Sequence, residues 1–125
     1  MREIIETGSA ALPVGPYSQA IRANGLVFVS GQIPIDPAMQ TVIEGDVRVQ
    51  TERALRNVEL LLGAAGVSLA DVVRCVVYLR NIDDFDAMNA VYSSFFRDAP
   101  PVRSTVAVSG LPRNALVQIE ATAVA

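Results

Sequence analysis

Two apolar stretches near the end of the chain each contain a single charged residue, and they constrain the fold more than any other feature. Val102–Ser109 and Ala115–Val124 are rich in Val, Ile, Thr and Ala, and Gly110–Asn114 between them has a turn-like composition. This pattern predicts two largely buried strands. The charges are Arg103 and Glu120, and a buried charge is costly unless it is paired or hydrogen-bonded. Either they form a structural ion pair, or the Arg head reaches solvent at a strand end, or the Arg binds a carboxylate near a proton-transferring Glu.

The amino acids that the chain lacks exclude several kinds of chemistry. Ten residues are Lys or Arg, and all ten are Arg; His and Trp are absent as well. Without His there is no Ser-His-Asp or Cys-His catalysis and no His-ligated metal. Without Lys there is no side-chain Schiff base. The remaining catalytic groups are carboxylates, arginines, hydroxyls, backbone groups and water, so we expect a site with neither cofactor nor metal.

Two further observations narrow the functional classes. The only thiol, Cys75, lies in the apolar run Val72–Leu79, which indicates a core residue rather than a nucleophile. A single Cys excludes an intrachain disulfide. The net charge of −3 argues against a general nucleic-acid-binding surface, which needs clustered positive charge.

The length and hydrophobicity predict one domain, residues 1–125, that assembles with other subunits. Hydrophobic residues make up 51% of the chain before its eight glycines are counted, whereas the usual apolar fraction, Gly included, is roughly 45–50%. A chain of 125 residues has a small interior, so the excess indicates a subunit interface. No apolar run has the roughly 20 residues of a membrane span, and Met1–Glu6 has no signal-peptide core. We therefore expect a cytoplasmic protein.

The first half of the chain contains strands joined by loops, followed by a helix. The predicted elements are a strand at Arg2–Glu6, a loop at Gly8–Ser18, a hairpin of Gln19–Ala23 and Leu26–Gly31 closed by a type I′ turn at Asn24-Gly25, and a connecting loop at Pro34–Gly45. From Val47 to Ala65 apolar residues recur at helical spacing, with Asp46 as N-cap and Gly66 as stop. Gln50 belongs to the polar, solvated face of this helix.

The second half returns to strands around a second helix. Val72–Arg80 is predicted as a strand, and Asp83–Phe96 as a helix that buries Phe85, Met88, Tyr92 and Phe95. With the two final strands, the order is βββαβαββ. This order predicts an α+β fold with two helices packed on one face of a sheet.

Several segments, in order along the chain, resemble the reactive-intermediate deaminases, the family also known as RidA, YjgF or L-PSP. The matching segments are Gly15-Pro16-Tyr17-Ser18-Gln19-Ala20, Val29-Ser30-Gly31-Gln32-Ile33-Pro34, Phe85-Asp86-Ala87-Met88-Asn89, Pro101-Val102-Arg103-Ser104, Leu111-Pro112 and Gln118-Ile119-Glu120-Ala121. The resemblance implies a chorismate-mutase-like fold with a mixed six-stranded sheet. It also implies a homotrimer with pockets between subunits.

The resemblance and the local pattern disagree about the last strand. A simple hairpin closed at Ser109 and Asn114 would put Arg103 directly opposite Glu120. The family topology instead inserts the last strand beside Leu26–Gly31 and leaves the Arg103 strand at an edge. Because the resemblance covers the whole chain, we expect the family topology.

The resemblance also implies a site and a reaction. Arg103 and Glu120 are the implied catalytic residues, and the implied substrate-binding residues are Tyr17, Ser30, Gly31, Asn89, Arg103 and Thr105. From pattern alone, Tyr17 could be a surface residue, Gly31 a strand-ending Gly and Asn89 an ordinary helix residue. The implied reaction is hydrolysis of 2-imino acids or their enamines, such as 2-iminopropanoate and 2-iminobutanoate, to 2-oxo acids and ammonia.

One position departs from the family pattern, and three other functions stay open. Thr105 stands where well-known deaminases of the family have Cys, which puts pocket size and polarity, and hence substrate preference, in question. The alternatives are a pathway-specific deaminase of a larger enamine such as aminoacrylate or aminomuconate, a non-catalytic ligand-binding or chaperone-like protein, and an endoribonuclease. The absence of His and Lys and the negative net charge weigh against the endoribonuclease.

Overall fold

The computed structural model describes residues 1–125 and contains one mixed six-stranded sheet covered on one face by two helices. The elements are β1 (Arg2–Ile5), β2 (Ala20–Ala23), β3 (Leu26–Gln32), β4 (Ile35–Asp36), β5 (Thr41–Val42), α1 (Val47–Ala64), β6 (Val72–Leu79), α2 (Phe85–Phe95), β7 (Val102–Ala107) and β8 (Val117–Val124). The strands of the sheet lie in the order β1-β2-β3-β8-β6-β7, and only β6 and β7 are parallel. The α+β class and the order βββαβαββ are confirmed, and the segment predicted as a connecting loop adds the small β4-β5 hairpin.

The position of β8 confirms the inserted topology and excludes the simple hairpin. β8 pairs with β3 on one side and with β6 on the other, and β7 pairs only with β6, as an edge strand. Helix α2 makes the crossover that parallel β6 and β7 require. Alternate residues of β8 are buried against the helices, namely Val117, Ile119, Ala121 and Ala123. The residues between them face the opposite side of the sheet.

Helix α1 begins and ends as predicted, but its polar face includes a buried residue. The Asp46 side chain accepts hydrogen bonds from the backbone N–H groups of Arg48 and Val49, and Gly66 has φ +79° just past the helix. Gln50, predicted to be solvated, is buried. Its Oε1 accepts from the Leu116 backbone N–H at 2.9 Å, because the chain entering β8 crosses the start of this helix. Gln50 thus satisfies a backbone donor that no strand partner reaches.

Other boundaries differ from the prediction by a few residues. Helix α2 starts at Phe85 rather than Asp83, since Ile82–Asp84 forms a 3-10 turn. The Asn24-Gly25 turn has positive φ at both residues, as type I′ requires. Strand β8 starts at Val117, after a 3-10 turn at Pro112–Asn114 that contains two residues of positive φ. A strand cannot extend through that backbone conformation.

The prediction that β7 is largely buried is wrong for the single chain. No residue of β7 is fully buried, and Val102 and Val106 are 68% and 44% exposed. They point to the face of the sheet that no helix covers, where Phe28 and Val124 are also exposed. The apolar residues of β7 therefore belong to a surface rather than to the core. Neither helix combines the length and hydropathy that crossing a bilayer requires.

Candidate functional site

Arg103 lies on the edge strand β7 and its guanidinium is held by helix α2. Its Nη1 donates to Asn89 Oδ1 at 2.8 Å, and its Cζ lies 4.6 Å from the ring centroid of Tyr92 and 5.5 Å from that of Phe85. One hydrogen bond and two aromatic rings fix the guanidinium, while most of its N–H donors stay available. This is a suitable arrangement for binding a planar anion such as a carboxylate.

Thr105 and Asn89 are near Arg103, and the three residues are called here the edge group. Thr105 follows Arg103 at a spacing of two, so both side chains lie on the helix side of β7. Thr105 Oγ1 is buried and has no hydrogen-bond partner. Asn89 uses its Oδ1 to hold Arg103, so in this structure it positions the Arg.

Glu120 lies on the other face of the sheet and is anchored by a residue that the sequence did not single out. Glu120 Oε1 accepts a hydrogen bond from the Tyr78 hydroxyl at 2.6 Å. This bond, more than burial, raises the pKa of the Tyr78 phenol, because ionisation would remove the donor and place two negative charges together. The bond fixes the carboxylate and leaves its Oε2 available as an acceptor.

The structural ion pair between Arg103 and Glu120 does not form within the chain. Strand β6 separates their strands, and the two side chains leave the sheet on opposite faces. The ion pairs of the fold are Arg22–Glu3 and Arg56–Glu59, both at the surface. Of the initial alternatives, these positions exclude the intrachain ion pair, and the binding Arg with a separate proton-transferring Glu stays a prediction.

Three other predicted residues, Tyr17, Ser30 and Gly31, line one cavity of about 260 Å³. Its remaining lining residues are Val14, Ile33, Pro112 and Gln118. The Ser30 hydroxyl donates to Ser18 O at 2.6 Å, and the Tyr17 hydroxyl accepts from the Val14 N–H at 3.1 Å. We call this space the Tyr17 cavity. A larger groove of about 500 Å³ lies on the outer side of α1, but it contains none of the predicted residues.

Gly31 lies close to the Gln118 side chain: a Cβ on Gly31 would be 2.5 Å from Gln118 Nε2. That a ligand approaches the Gly31 backbone stays a prediction. The pairing of β3 with β8 is irregular between Val29 and Gln32, which brings this backbone against the side chain.

Within one chain the predicted residues therefore form two separate sets. The edge group lies at β7. The Tyr17 cavity, with Gly31 and Gln118, lies at the β3-β8 side, and Glu120 follows Gln118 on the same face of β8. Sequence reasoning missed Tyr78, Gln118 and Tyr92 as contributors. The sequence contained one weak indication for Gln118: it lies two residues before Glu120 and so is on the same face of the strand. Tyr78 and Tyr92 gave no signal distinguishable from ordinary amphipathic patterning.

Cys75 is a core residue, as predicted, and lies beside the edge group. It is fully buried and pairs with Arg103 across β6 and β7. Burial raises the pKa of the Cys75 thiol, which opposes thiolate formation and hence nucleophilic reactivity. Burial also raises the pKa of the Tyr92 phenol, whose hydroxyl has no hydrogen-bond partner.

The raised pKa of Cys75 predicts a loss of stability in mild alkali. The folded-state pKa of Cys75 lies above the unfolded value, which is about 8.5 for Cys. The free energy of unfolding is therefore at its full value below the unfolded pKa. It falls as the pH rises toward the folded-state pKa, because the thiol of the unfolded chain ionises first. Few other groups titrate there, because the chain has no Lys and no His. Urea midpoints between pH 7.5 and 9.5 should fall for the parent and fall less for Cys75→Ala. If the urea midpoint falls equally with pH in the two proteins, Cys75 is not the cause of the loss of stability.

Comparisons with known proteins agree with the architecture. The family model described as Endoribonuclease L-PSP matches residues 7–125. A RutC family protein of Pyrococcus horikoshii is 47% identical over 123 residues, covering 98% of each chain. A 2-iminobutanoate/2-iminopropanoate deaminase of Dermatophagoides farinae is 39% identical over 123 residues, covering 98% of this chain and 96% of that one. A Rid-family protein of unknown function from Yersinia pestis has 40% sequence identity to this chain. Its crystal structure superposes on this structure with a TM-score of 0.97, and the superposition covers 100% of both chains.

These similarities define the class of protein. The fold with its inserted final strand is that of Rid proteins, and the sequence match extends over almost the whole chain. The chain belongs to the Rid/L-PSP family.

Proposed function

We propose that this protein hydrolyses 2-imino acids, or their enamine tautomers, to 2-oxo acids and ammonia. The observation that carries the proposal is that two charged side chains are fixed in orientation by their neighbours. Arg103 is held by Asn89 and Tyr92, and Glu120 is held by Tyr78. One group suits a substrate carboxylate and the other suits a water molecule. The deaminase name of one relative supports the same reaction.

In this mechanism Arg103 binds the substrate carboxylate through two N–H groups. Glu120 accepts a proton from water as the water oxygen bonds to C2 of the protonated imine, the iminium. The product is a carbinolamine with an uncharged hydroxyl group and an uncharged amino group. The proton on Glu120 then passes to the amino nitrogen, ammonia leaves, and the loss of the hydroxyl proton gives the 2-oxo acid. Imines are already electrophilic, so positioning and one proton relay suffice.

The two sets of site residues require more than one subunit in this proposal. Arg103 and Thr105 at the free edge of one subunit would meet Glu120, Ser30 and Gly31 of a neighbour, in a homotrimer. The exposed apolar residues Val102, Val106 and Phe28 support an interface on the face that no helix covers.

The homotrimer has a direct test. Sedimentation equilibrium at micromolar concentration should give about three times the subunit mass of 13.3 kDa. A stable monomer at that concentration would contradict both the assembly and the shared site.

The reaction is tested with imines generated in situ. A PLP-dependent threonine or serine dehydratase supplies 2-iminobutanoate or 2-iminopropanoate, and the release of 2-oxo acid is followed with and without the protein. We expect faster release that is insensitive to chelators and is lost in Arg103→Ala. A folded protein that leaves the spontaneous rate unchanged would refute the deaminase and favour a ligand-binding role.

RNA cleavage is the second candidate, favoured by the description of the matching family model. The same preparation, incubated with single-stranded RNA, tests it. Cleavage by the parent and not by Arg103→Ala would assign the activity to this site. Cleavage that Arg103→Ala retains would place the activity elsewhere or in a contaminant.

A further inference from the structure

We propose that Gln118 selects substrates by the polarity of their side chain, favouring 2-imino acids that carry a short, uncharged polar group such as an amide. This inference rests on the proposed function, because it assigns a substrate class to the same site. If Arg103 of a neighbour binds the carboxylate and Glu120 acts at C2, the space left for the substrate side chain is the Tyr17 cavity.

Gln118 fills space in that cavity that a side chain at position 31 would otherwise occupy. The space beside Gly31 is occupied by the Gln118 amide: a Cβ on Gly31 would be 2.5 Å from Nε2 and 2.9 Å from Cδ. Real Cβ atoms do not come so close to another heavy atom. The absence of a side chain at Gly31 therefore allows the amide to lie at the cavity wall.

The Gln118 amide is the polar group of the cavity with the most hydrogen-bonding capacity left. The Ser30 hydroxyl already donates to Ser18 O, and the Tyr17 hydroxyl accepts from Val14 N–H. The Gln118 side chain makes no hydrogen bond within the chain, and the other side chains around it, Val14, Ile33 and Pro112, are apolar. A ligand amide can both donate to and accept from it. An alkyl group would leave it unpaired, which costs binding energy.

The charge of the site favours a neutral group over an acidic one. Gln118 and Glu120 lie on the same face of β8, about 6.5 Å apart along the strand at roughly 3.3 Å per residue. An acidic substrate side chain beside Gln118 would lie near the Glu120 carboxylate and would be repelled. The selected class is therefore polar and uncharged.

The test uses substrates of matched shape. An L-amino-acid oxidase generates imines in situ from asparagine and from leucine, whose side chains are nearly isosteric, and from aspartate to test charge. The parent should give a higher kcat/KM for the asparagine-derived imine than for the other two. In Gln118→Met, which keeps the length but loses the amide, the asparagine-to-leucine ratio should fall by roughly 3- to 10-fold, the size expected for one neutral hydrogen bond.

A second variant and two outcomes keep the inference falsifiable. Gly31→Ala should displace the Gln118 amide and lower the same ratio, whatever it does to the absolute rate. An unchanged ratio in Gln118→Met, with both imines hydrolysed, would overturn the inference and leave the deaminase intact. If the parent hydrolyses none of these imines and also none made by the dehydratase, the proposed function fails and this inference falls with it.

Discussion

An Arg103→Ala variant should lose about 10- to 150-fold or more in kcat/KM for imine hydrolysis while keeping its fold. A charge-assisted hydrogen bond to a carboxylate contributes roughly 1.5–3 kcal/mol, and about 1.4 kcal/mol corresponds to each tenfold change in rate. The loss grows further if the substrate is also misoriented. Steady-state rates with dehydratase-generated 2-iminopropanoate measure it, and carboxylate binding should be lost in parallel.

Two controls separate the site from the scaffold. Arg103→Lys should restore only part of the activity, because an ammonium group cannot form the bidentate contact. Arg103→Ala should lose thermal stability only through its contacts with Asn89, Tyr92 and Phe85, since Glu120 is bonded to Tyr78 and is not left without a partner. A variant that melts far earlier than the parent yet hydrolyses the imine normally would show that Arg103 is structural.

Mixing two impaired variants should restore activity. Glu120→Gln keeps the shape of the side chain but cannot accept the proton, so it should lose roughly 10²- to 10⁴-fold in rate. If each site combines Arg103 of one subunit with Glu120 of another, equal mixing with Arg103→Ala gives both intact residues in about a quarter of the sites, for random assembly of a cyclic trimer. The mixture should then recover about a quarter of the parent rate.

The control for this experiment uses a double variant. Arg103→Ala mixed with Arg103→Ala/Glu120→Gln has no site with both residues intact and should not exceed the mean of the rates of the two separate variants. Subunit exchange is verified by mass spectrometry of the mixed trimers. Verified exchange without recovery would mean that the two residues do not share an intersubunit site.

The order of elements could be predicted from the sequence, but the position of the last strand could not. The periodicity of α1 and the turn at Asn24-Gly25 are local signals, and both led to the observed elements. The spacing of Ser109 and Asn114 equally well suggests a hairpin, because local patterns do not encode which strand of a sheet is a neighbour. The resemblance to the family predicted the observed position of the last strand. The exposure of β7 was missed because an apolar run does not reveal which layer covers it.

Similar limits apply to the site. Arg103 and Glu120 were recognisable as candidates because they are single charges within apolar strands, and Asn89 became a candidate only through the resemblance; their roles stay predictions. The contact of Gln118 with Gly31 depends on a pairing irregularity between β3 and β8, which no spacing in the sequence specifies. Gln50 was assigned to the solvated face because its backbone partner, Leu116, is 66 residues away in the sequence.

The free edge of β7 also has a consequence for biogenesis. In the proposed homotrimer, a newly made subunit that has not yet met its neighbours would present the unpaired backbone groups and two exposed valines of this strand, which can template pairing with another extended chain. Pro100 and Pro101, directly before the strand, cannot donate backbone hydrogen bonds and so prevent the edge from extending toward the N-terminus. If the protein assembles as proposed, its refolding yield depends on how fast subunits associate relative to non-native strand pairing, and the lone subunit is the species most exposed to such pairing.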